Sequence, residues 1–159
     1  MTQLLPGRMT AALDGDVVVF LIGMRVNSWW RVGQWLPMAR AMRRMVRELE
    51  AHPELGLLAR ESWFSGRIPI DVQYWRSLDH LLAYAHGASS QHLPAWRDFN
   101  RRMKTARGVG IWHETYQVAA GHHETIYRNM PRFGLGKAGE LVEATGRRET
   151  ARGRLRPAA

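Results

Sequence analysis

The run VVVFLIGM, from Val17 to Met24, decides the fold class. It is apolar at consecutive positions and rich in β-branched residues, without the alternation of a strand that faces water on one side. Such a run predicts a strand that is covered on both faces of its sheet. The turn-like LDGD before it marks where the strand begins.

The chain after this strand predicts a helix, a hairpin and a second helix. Apolar residues at helical spacing indicate a helix that starts near Pro37 and stops before Pro53. Residues 57–64 and 68–75 read as two strands, with SGR as the turn between them. The stretch RSLDHLLAYAHG then predicts a helix with Ser77 as its N-cap.

The remaining elements complete an α+β pattern. HLPAWRDFNRRM predicts a third helical piece, and a fourth strand is expected from about Val109 to Val118. HHETIYRNM is expected to be extended and to pair with a sheet edge. Strand, helix, strand, strand, helix, strand is the ferredoxin-like split βαβ order, with one four-stranded antiparallel sheet. We assign residues 1–130 to this domain and residues 131–159 to a partly flexible C-terminal arm rich in Gly and Arg.

Two helices cover only one face of a four-stranded sheet, yet the first strand is apolar on both sides. The economical cover for the second face is a second copy, sheet against sheet. The predicted assembly is therefore a homodimer that forms a dimeric α+β barrel.

Composition limits the partners and the compartment. The net charge is +9, but the arginines are spread along the chain, which favours a solvated basic face over a nucleic-acid site. There are no cysteines, and no apolar run approaches the ~20 residues that span a bilayer. We expect a cytoplasmic protein without nucleic-acid or membrane partners.

The strand GVGIWHETYQV carries the most unusual side chains. His113 alternates with Val109 and Ile111, so it lies on an apolar face, while Glu114 lies on the opposite face. A lone imidazole suits a general acid or base, because its ordinary pKa is near ~6.5. The alternatives are a buried histidine that is satisfied by a carbonyl, or a dimer contact.

Glu114 shares its face with Trp112 and Tyr116. A carboxylate buried there needs a partner, for which Arg25 or Arg76 is expected. The pair is either structural or part of a catalytic set of His113, Glu114 and Arg25.

Aromatic residues supply the predicted pocket for an apolar substrate. Trp29 and Trp30 follow the first strand and form either a lid or an interface. Tyr74 and Trp75 close the third strand and either line the pocket or pack the second helix. The predicted lining is Trp30, Tyr74, Trp75, Trp112 and Tyr116.

Five segments in order resemble one family: FLIGMRVNSWWRVGQWLPMARAMRRMVRELE, PIDVQYWRSLDHLLAYA, HLPAWRDFNRR, GVGIWHETYQV and YRNMPRFGLGKAG. The chain resembles the fumagillin-pathway monooxygenase-like family along nearly its whole length. This resemblance implies the dimeric α+β barrel of antibiotic-biosynthesis monooxygenases and a small-molecule enzyme.

RSLDHLLAYAHGASSQHLPAWRDFNRRM followed by WHETY more distantly resembles the haem-containing aldoxime dehydratases. The resemblance puts His92 at the position of the proximal haem ligand, which binds the iron. It puts His113 at that of the distal acid/base. Trp96 and Phe99, on the stripe of His92, would line a haem b face. The alternative for His92 is a helix-start histidine packed on the core.

Three functions follow from these observations. The first is a haem b enzyme, of oxidoreductase or aldoxime dehydratase-like lyase chemistry, that acts on an apolar metabolite. The second is a cofactor-free monooxygenase with His113 as base. The third is a ligand-binding dimer without catalysis.

Overall fold

The computed structural model describes residues 3–86 and 106–155. The predicted third helical piece, with His92, Trp96 and Phe99, lies outside these residues. The described strands are β1 Leu5–Ala12, β2 Val17–Val26, β3 Leu57–Ser65, β4 Ile68–Trp75, β5 Val109–Val118, β6 Tyr127–Met130 and β7 Glu140–Glu143. The described α-helices are α1 Val32–Ala51, α2 Leu78–His86, α3 Leu135–Ala138 and α4 Ala151–Arg154, with short 3₁₀ turns at Pro53–Leu55 and Gly146–Glu149.

The main sheet has four antiparallel strands in the order β3-β4-β2-β5. The first strand of the motif, β2, therefore lies between the third and the fourth, which is the ferredoxin-like arrangement. The α+β fold class predicted from the order of elements is confirmed. The central place of β2 gives it hydrogen-bonded neighbours on both edges, while its consecutive apolar residues also require cover on both faces of the sheet.

The core lies between this sheet and the helices. Val18 of β2 and Trp75 of β4 pack with Leu49 of α1 and with Leu81 and Tyr84 of α2. Trp75 is fully buried, and its ring centroid lies 5.7 Å from that of Tyr84. Because these contacts fix the direction of Val18 and Trp75, they define the helix-covered face of the sheet.

The two main helices begin in different ways. The Ser77 hydroxyl accepts a hydrogen bond from the backbone N–H of His80 at 3.2 Å, as expected of an N-cap. Helix α1 begins at Val32, five residues before the predicted start at Pro37, and has no side-chain cap. The Gln34 side chain instead accepts a hydrogen bond from the Gly108 backbone N–H, which fastens the first turn to the start of β5.

A second sheet has the order β6-β1-β7. Of the predicted extended segment HHETIYRNM, only Tyr127–Met130 forms a strand, β6, and it pairs with β1 and not with the edge of the main sheet. Gly139 precedes β7, where a Cβ would lie only 2.5 Å from the Ala12 carbonyl oxygen, so the close approach of the two segments requires glycine. Strand β7, which lies within the predicted C-terminal arm, thus pairs with β1. The domain boundary at residue 130 stays a prediction.

Residues just before and within α3 cover part of the second face of the main sheet. The Gly134 N–H donates to Glu61 Oε1 at 3.0 Å, and Lys137 pairs with the same oxygen at 2.7 Å. The Phe133 ring packs edge-on against Trp63, with 5.9 Å between centroids. The chain therefore covers the β3–β4 half of this face itself.

In residues 3–86 and 106–155, none of the helices has both the length and the apolar composition needed to cross a membrane.

Candidate functional site

Strand β5 places His113 on the helix-covered face. His113 is the register partner of Ile22, which lies on the same side of β2 as Val18. Glu114 is the partner of Leu21 and lies on the opposite side. The exposed His113 ring leans against Phe20, with 5.7 Å between ring centroids and 40° between planes. The predicted separation of His113 and Glu114 by face is therefore observed.

The surroundings of His113 are largely apolar. Ile111 precedes it on the same face of β5, and Phe20, Ile22 and Met24 face it from β2. Among the described residues of this patch, the imidazole is the group suited to exchange a proton with a bound molecule.

A polar cluster that the sequence reasoning missed lies two strands away from His113 on the same face. Register places Ser62, Asp71, Ile22 and His113 in one row across the four strands. Asp71 is buried, with 5% of its surface exposed. The signal for this cluster was present in IDVQYW, because alternation puts Asp71 and Gln73 on the side of Trp75.

Hydrogen bonds satisfy the buried Asp71 carboxylate. Arg60 donates to Oδ1 from Nη2 at 2.8 Å, and Ser62 donates to the same oxygen at 2.5 Å. Gln73 donates to Oδ2 at 2.8 Å and accepts from Trp75 Nε1 at 2.9 Å. The cluster joins the sheet surface to the core residue Trp75, which makes it a rigid neighbour of the His113 patch.

The Arg60 guanidinium has a raised pKa. Burial favours its neutral form, but the hydrogen bonds and charges of Asp71 and Glu50 outweigh burial. Glu50, near the end of α1, accepts from Nη1 at 2.7 Å. Arg60 therefore stays charged and fastens α1 to β3.

The expected ion pair of Glu114 with Arg25 or Arg76 is absent from the described structure. Arg25 is the partner of Gly110 and lies four residues along the ladder from Glu114, where its guanidinium donates to the Asn27 side chain. Glu114 is exposed on the edge strand and accepts instead from the Tyr116 hydroxyl at 2.5 Å, which raises the pKa of Tyr116. Because water reaches the carboxylate, no counter-ion is needed.

The five aromatic residues predicted to line one pocket are distributed over different surfaces. Trp75 is in the helix-side core, and Tyr74 lies on the other face beneath Gly134. Trp112 and Tyr116 share that other face, and Trp30 is 95% exposed at the end of the sheet. The structure does not bring these side chains together with His113.

The order and antiparallel pairing of the four strands, with helices packed on one face, define the described main sheet as a ferredoxin-like α+β fold of the barrel type. The chain belongs to the monooxygenase af470-like family, whose model matches residues 17–135. These residues run from the start of β2 to the start of α3, so they contain the whole main sheet.

The chain is similar to known proteins in both sequence and fold. Monooxygenase af470 of Aspergillus fumigatus is 28% identical over 161 aligned residues, which cover 86% of this chain and 56% of that protein. An aldoxime dehydratase, solved in complex with butyraldoxime, superposes with a TM-score of 0.68 at 15% identity, over 84% of this chain and 40% of that one. The chain thus spans about half the length of these relatives, and the likeness to the dehydratase shows the fold alone.

Proposed function

We propose that this protein is a small-molecule enzyme of the monooxygenase-like type that acts on an apolar substrate at the His113 patch. The observation that carries the proposal is that the His113 imidazole is exposed although it lies on the helix side of the main sheet, beside Phe20 and opposite Ile22. Apolar neighbours bind an apolar substrate, and the imidazole accepts or returns a proton. Membership in the monooxygenase af470-like family supports this reaction class.

We further propose that haem b is the cofactor, with His92 as its proximal ligand, Trp96 and Phe99 along its face, and His113 on the distal side. The resemblance to the aldoxime dehydratases and the shared fold support this assignment. The described residues fit such a group, because the His113 patch is apolar and presents one imidazole. Haem iron, when bound, supplies redox or Lewis-acid chemistry. His113 holds a proton near the reacting atom, and the apolar wall of β2 orients the substrate.

The second candidate is a cofactor-free monooxygenase: the family name supports the reaction class, and the exposed His113 could act as the base. His113 would remove a proton from an enolisable or phenolic substrate, and the resulting carbanion would react with molecular oxygen. This reaction needs an accessible base on an apolar surface, which the patch provides.

Hemin titration separates the two candidates. We expect the protein to develop a Soret band that shifts with cyanide, and we expect His92→Ala to lose the band. His113→Ala should keep the band and lose turnover. His52→Ala is the matched control, since His52 is an exposed histidine that contacts Glu54 and lies far along the chain from the patch.

Three other outcomes would change the assigned function. Colourless protein with oxygen uptake on an enolisable ketone, abolished by His113→Ala, would replace the haem proposal with the cofactor-free one. Conversion of butyraldoxime to its nitrile by the haem-loaded protein would assign a lyase. Ligand binding without turnover, unchanged in both histidine variants, would overturn the enzymatic proposals.

A further inference from the structure

One end of the main sheet exposes an unusual set of large apolar side chains. Residues 27–32, 63–67 and 106–109 form this region, which we call the aromatic end. The exposed fractions are 95% for Trp30, 85% for Phe64, 45% for Val32, 43% for Trp29 and 41% for Trp63. Exposed single hydrophobic residues are common, but a group of aromatic residues at one end of a domain indicates an interaction site.

Hydrogen bonds hold the three segments together. The Val26 N–H donates to the Arg67 carbonyl at 2.9 Å, and the Arg67 guanidinium donates back to the Asn27 carbonyl at 3.1 Å. The Asn27 N–H donates to the Gly108 carbonyl at 2.9 Å. The turn of the β3–β4 hairpin, the end of β2 and the start of β5 are therefore neighbours in a defined arrangement.

Trp29 supports the exposed Trp30. Its ring meets that of Trp35 edge-on, with 5.6 Å between centroids, and its carbonyl accepts from Trp35 Nε1 at 3.1 Å. Because Trp29 is held against α1, the adjacent Trp30 projects from a supported loop into solvent.

The charge of the aromatic end has one sign. Arg31, Arg67 and Arg107 are exposed there, and the three segments contain no Asp or Glu. Protein surfaces that lie in the headgroup region of a membrane combine exposed Trp and Phe with arginine, as the aromatic end does. Each arginine near an anionic lipid surface adds attraction, and the rings bury apolar area at the acyl boundary.

We propose that the aromatic end docks on an anionic lipid surface, with Trp30 and Phe64 inserted and the arginines at the headgroups. This inference goes beyond the proposed function, since it concerns where the protein meets a lipid phase and not its chemistry. It also departs from the expectation of no membrane partner, which rested on the lack of a spanning segment.

A second copy is disfavoured as the occupant of this end. A two-fold interface would place the same surface against itself. Three arginines would then face three arginines without an acidic residue from these segments, and like charges across an interface are repulsive.

Co-sedimentation with sucrose-loaded vesicles tests the proposal. We expect the full chain to bind vesicles of phosphatidylcholine and phosphatidylserine in equal parts, and to bind vesicles of phosphatidylcholine alone much more weakly. Trp30→Ala and Phe64→Ala should each lower the partition coefficient by about tenfold, because each removes an inserted ring. Arg31→Glu should lower it by a similar factor, and added salt should weaken binding of the parent protein.

Leu155→Ala and Arg152→Glu are the matched controls, because they make the same kinds of change on exposed residues near α4. Arg154 of α4 pairs with Glu124, in the segment that follows the end of β5, whereas the aromatic end adjoins the start of β5. Both control variants should bind as the parent does. Absence of binding by the parent, or equal losses in the controls, would overturn the proposal. Light scattering gives the alternative outcome. If Trp30→Ala changes the protein from a dimer to a monomer and leaves vesicle binding unchanged, the aromatic end is instead an interface with a second copy.

Discussion

The buried carboxylate of Asp71 illustrates how one residue can tie a sheet to its core. We predict that Asp71→Ala lowers the free energy of unfolding by about 2–3 kcal/mol, because Arg60 would lose the partner of its partly buried charge. Urea denaturation followed by circular dichroism measures this change. Glu50→Gln is the control, since Glu50 is an exposed partner of the same guanidinium and should cost less than about 1 kcal/mol. Equal stabilities of Asp71→Ala and the parent would contradict the structural role.

Gly23 is a second residue at which a substitution should change stability. A Cβ at this position would lie 2.7 Å from Trp112 Nε1 and 3.0 Å from the Pro69 carbonyl oxygen. We predict that Gly23→Ala displaces the Trp112 ring and lowers the free energy of unfolding by about 1–3 kcal/mol.

Gly110→Ala is the control for this substitution, because its Cβ would meet only the Asn27 side chain at 3.8 Å. Tryptophan fluorescence and thermal unfolding report both variants. A larger loss in Gly110→Ala than in Gly23→Ala would show that the contact with Trp112 does not limit position 23.

Features of the site at the residue scale were predictable only where they depend on the alternation of side chains between the two faces of a strand. Alternation alone puts His113 and Glu114 on opposite faces, and the register agrees. The partner of Glu114 was not predictable, because the distance from Glu114 to Arg25 depends on the register between β5 and β2. Asp71 was overlooked because its partners Arg60 and Ser62 become neighbours only when β3 pairs with β4.

At the scale of elements, helix α1 shows how tertiary contacts override a local signal. Proline suits a first helical turn, yet Pro37 lies inside a helix that begins at Val32. The first turn forms regardless, because Gln34 binds the Gly108 N–H and Trp35 packs on Trp29.

Helix α1 should therefore become more stable without this proline. We predict that Pro37→Ala raises the free energy of unfolding by about 1–3 kcal/mol, since it restores an N–H to the helix interior. Ala39→Pro, in the same turn, should lower it by about 3 kcal/mol or more. Thermal unfolding of both variants measures the difference, and a less stable Pro37→Ala protein would contradict the expectation.

The strands differ in how well they could be predicted. Strands β2 to β5 follow from apolar runs and alternation within each segment. Strand β1 contains Pro6 and Gly7, and its register shifts between Leu5 and Arg8, so its local pattern is weak. It forms because β6 and β7, from the far end of the sequence, supply its hydrogen bonds on both sides.

At the scale of the whole molecule, the described residues of one chain cover the β2–β5 half of the second sheet face only in part: Val17 is buried, but its neighbours along the strands are less so. Val19 and Leu21 are half-buried there, and Tyr116 is 51% exposed. We expect a second copy on this half, as in a dimeric α+β barrel; the longer chain of the solved dehydratase has room for such a second module within itself.

Leu21→Glu should convert that dimer to a monomer, because it places a charge in the apolar contact. Multi-angle light scattering measures the mass. Tyr116→Phe, which keeps the ring, is the control and should remain dimeric. A monomeric parent protein would refute the predicted assembly.

The tyrosines give a prediction on pH dependence. All four have a pKa above the ordinary value of 10.0, through burial at Tyr74, Tyr84 and Tyr127 and through the Glu114 hydrogen bond at Tyr116. The folded state therefore holds these protons more tightly than the unfolded state does. This contribution to stability is complete below pH 10 and is lost as the pH rises above it. Tyrosinate absorbance should appear at higher pH in the folded protein than in urea, and coincident curves would contradict the burial of these side chains.

The position of β1 between β6 and β7 has a consequence for synthesis. Met9 pairs with Tyr127 and with Glu143, so its first partner is made 118 residues later. At about 5–20 residues per second, β1 waits roughly 6–24 s on the ribosome with both edges unpaired. The main sheet can assemble in that interval, whereas β1 remains a target for chaperones and for neighbouring nascent chains until the last strand emerges.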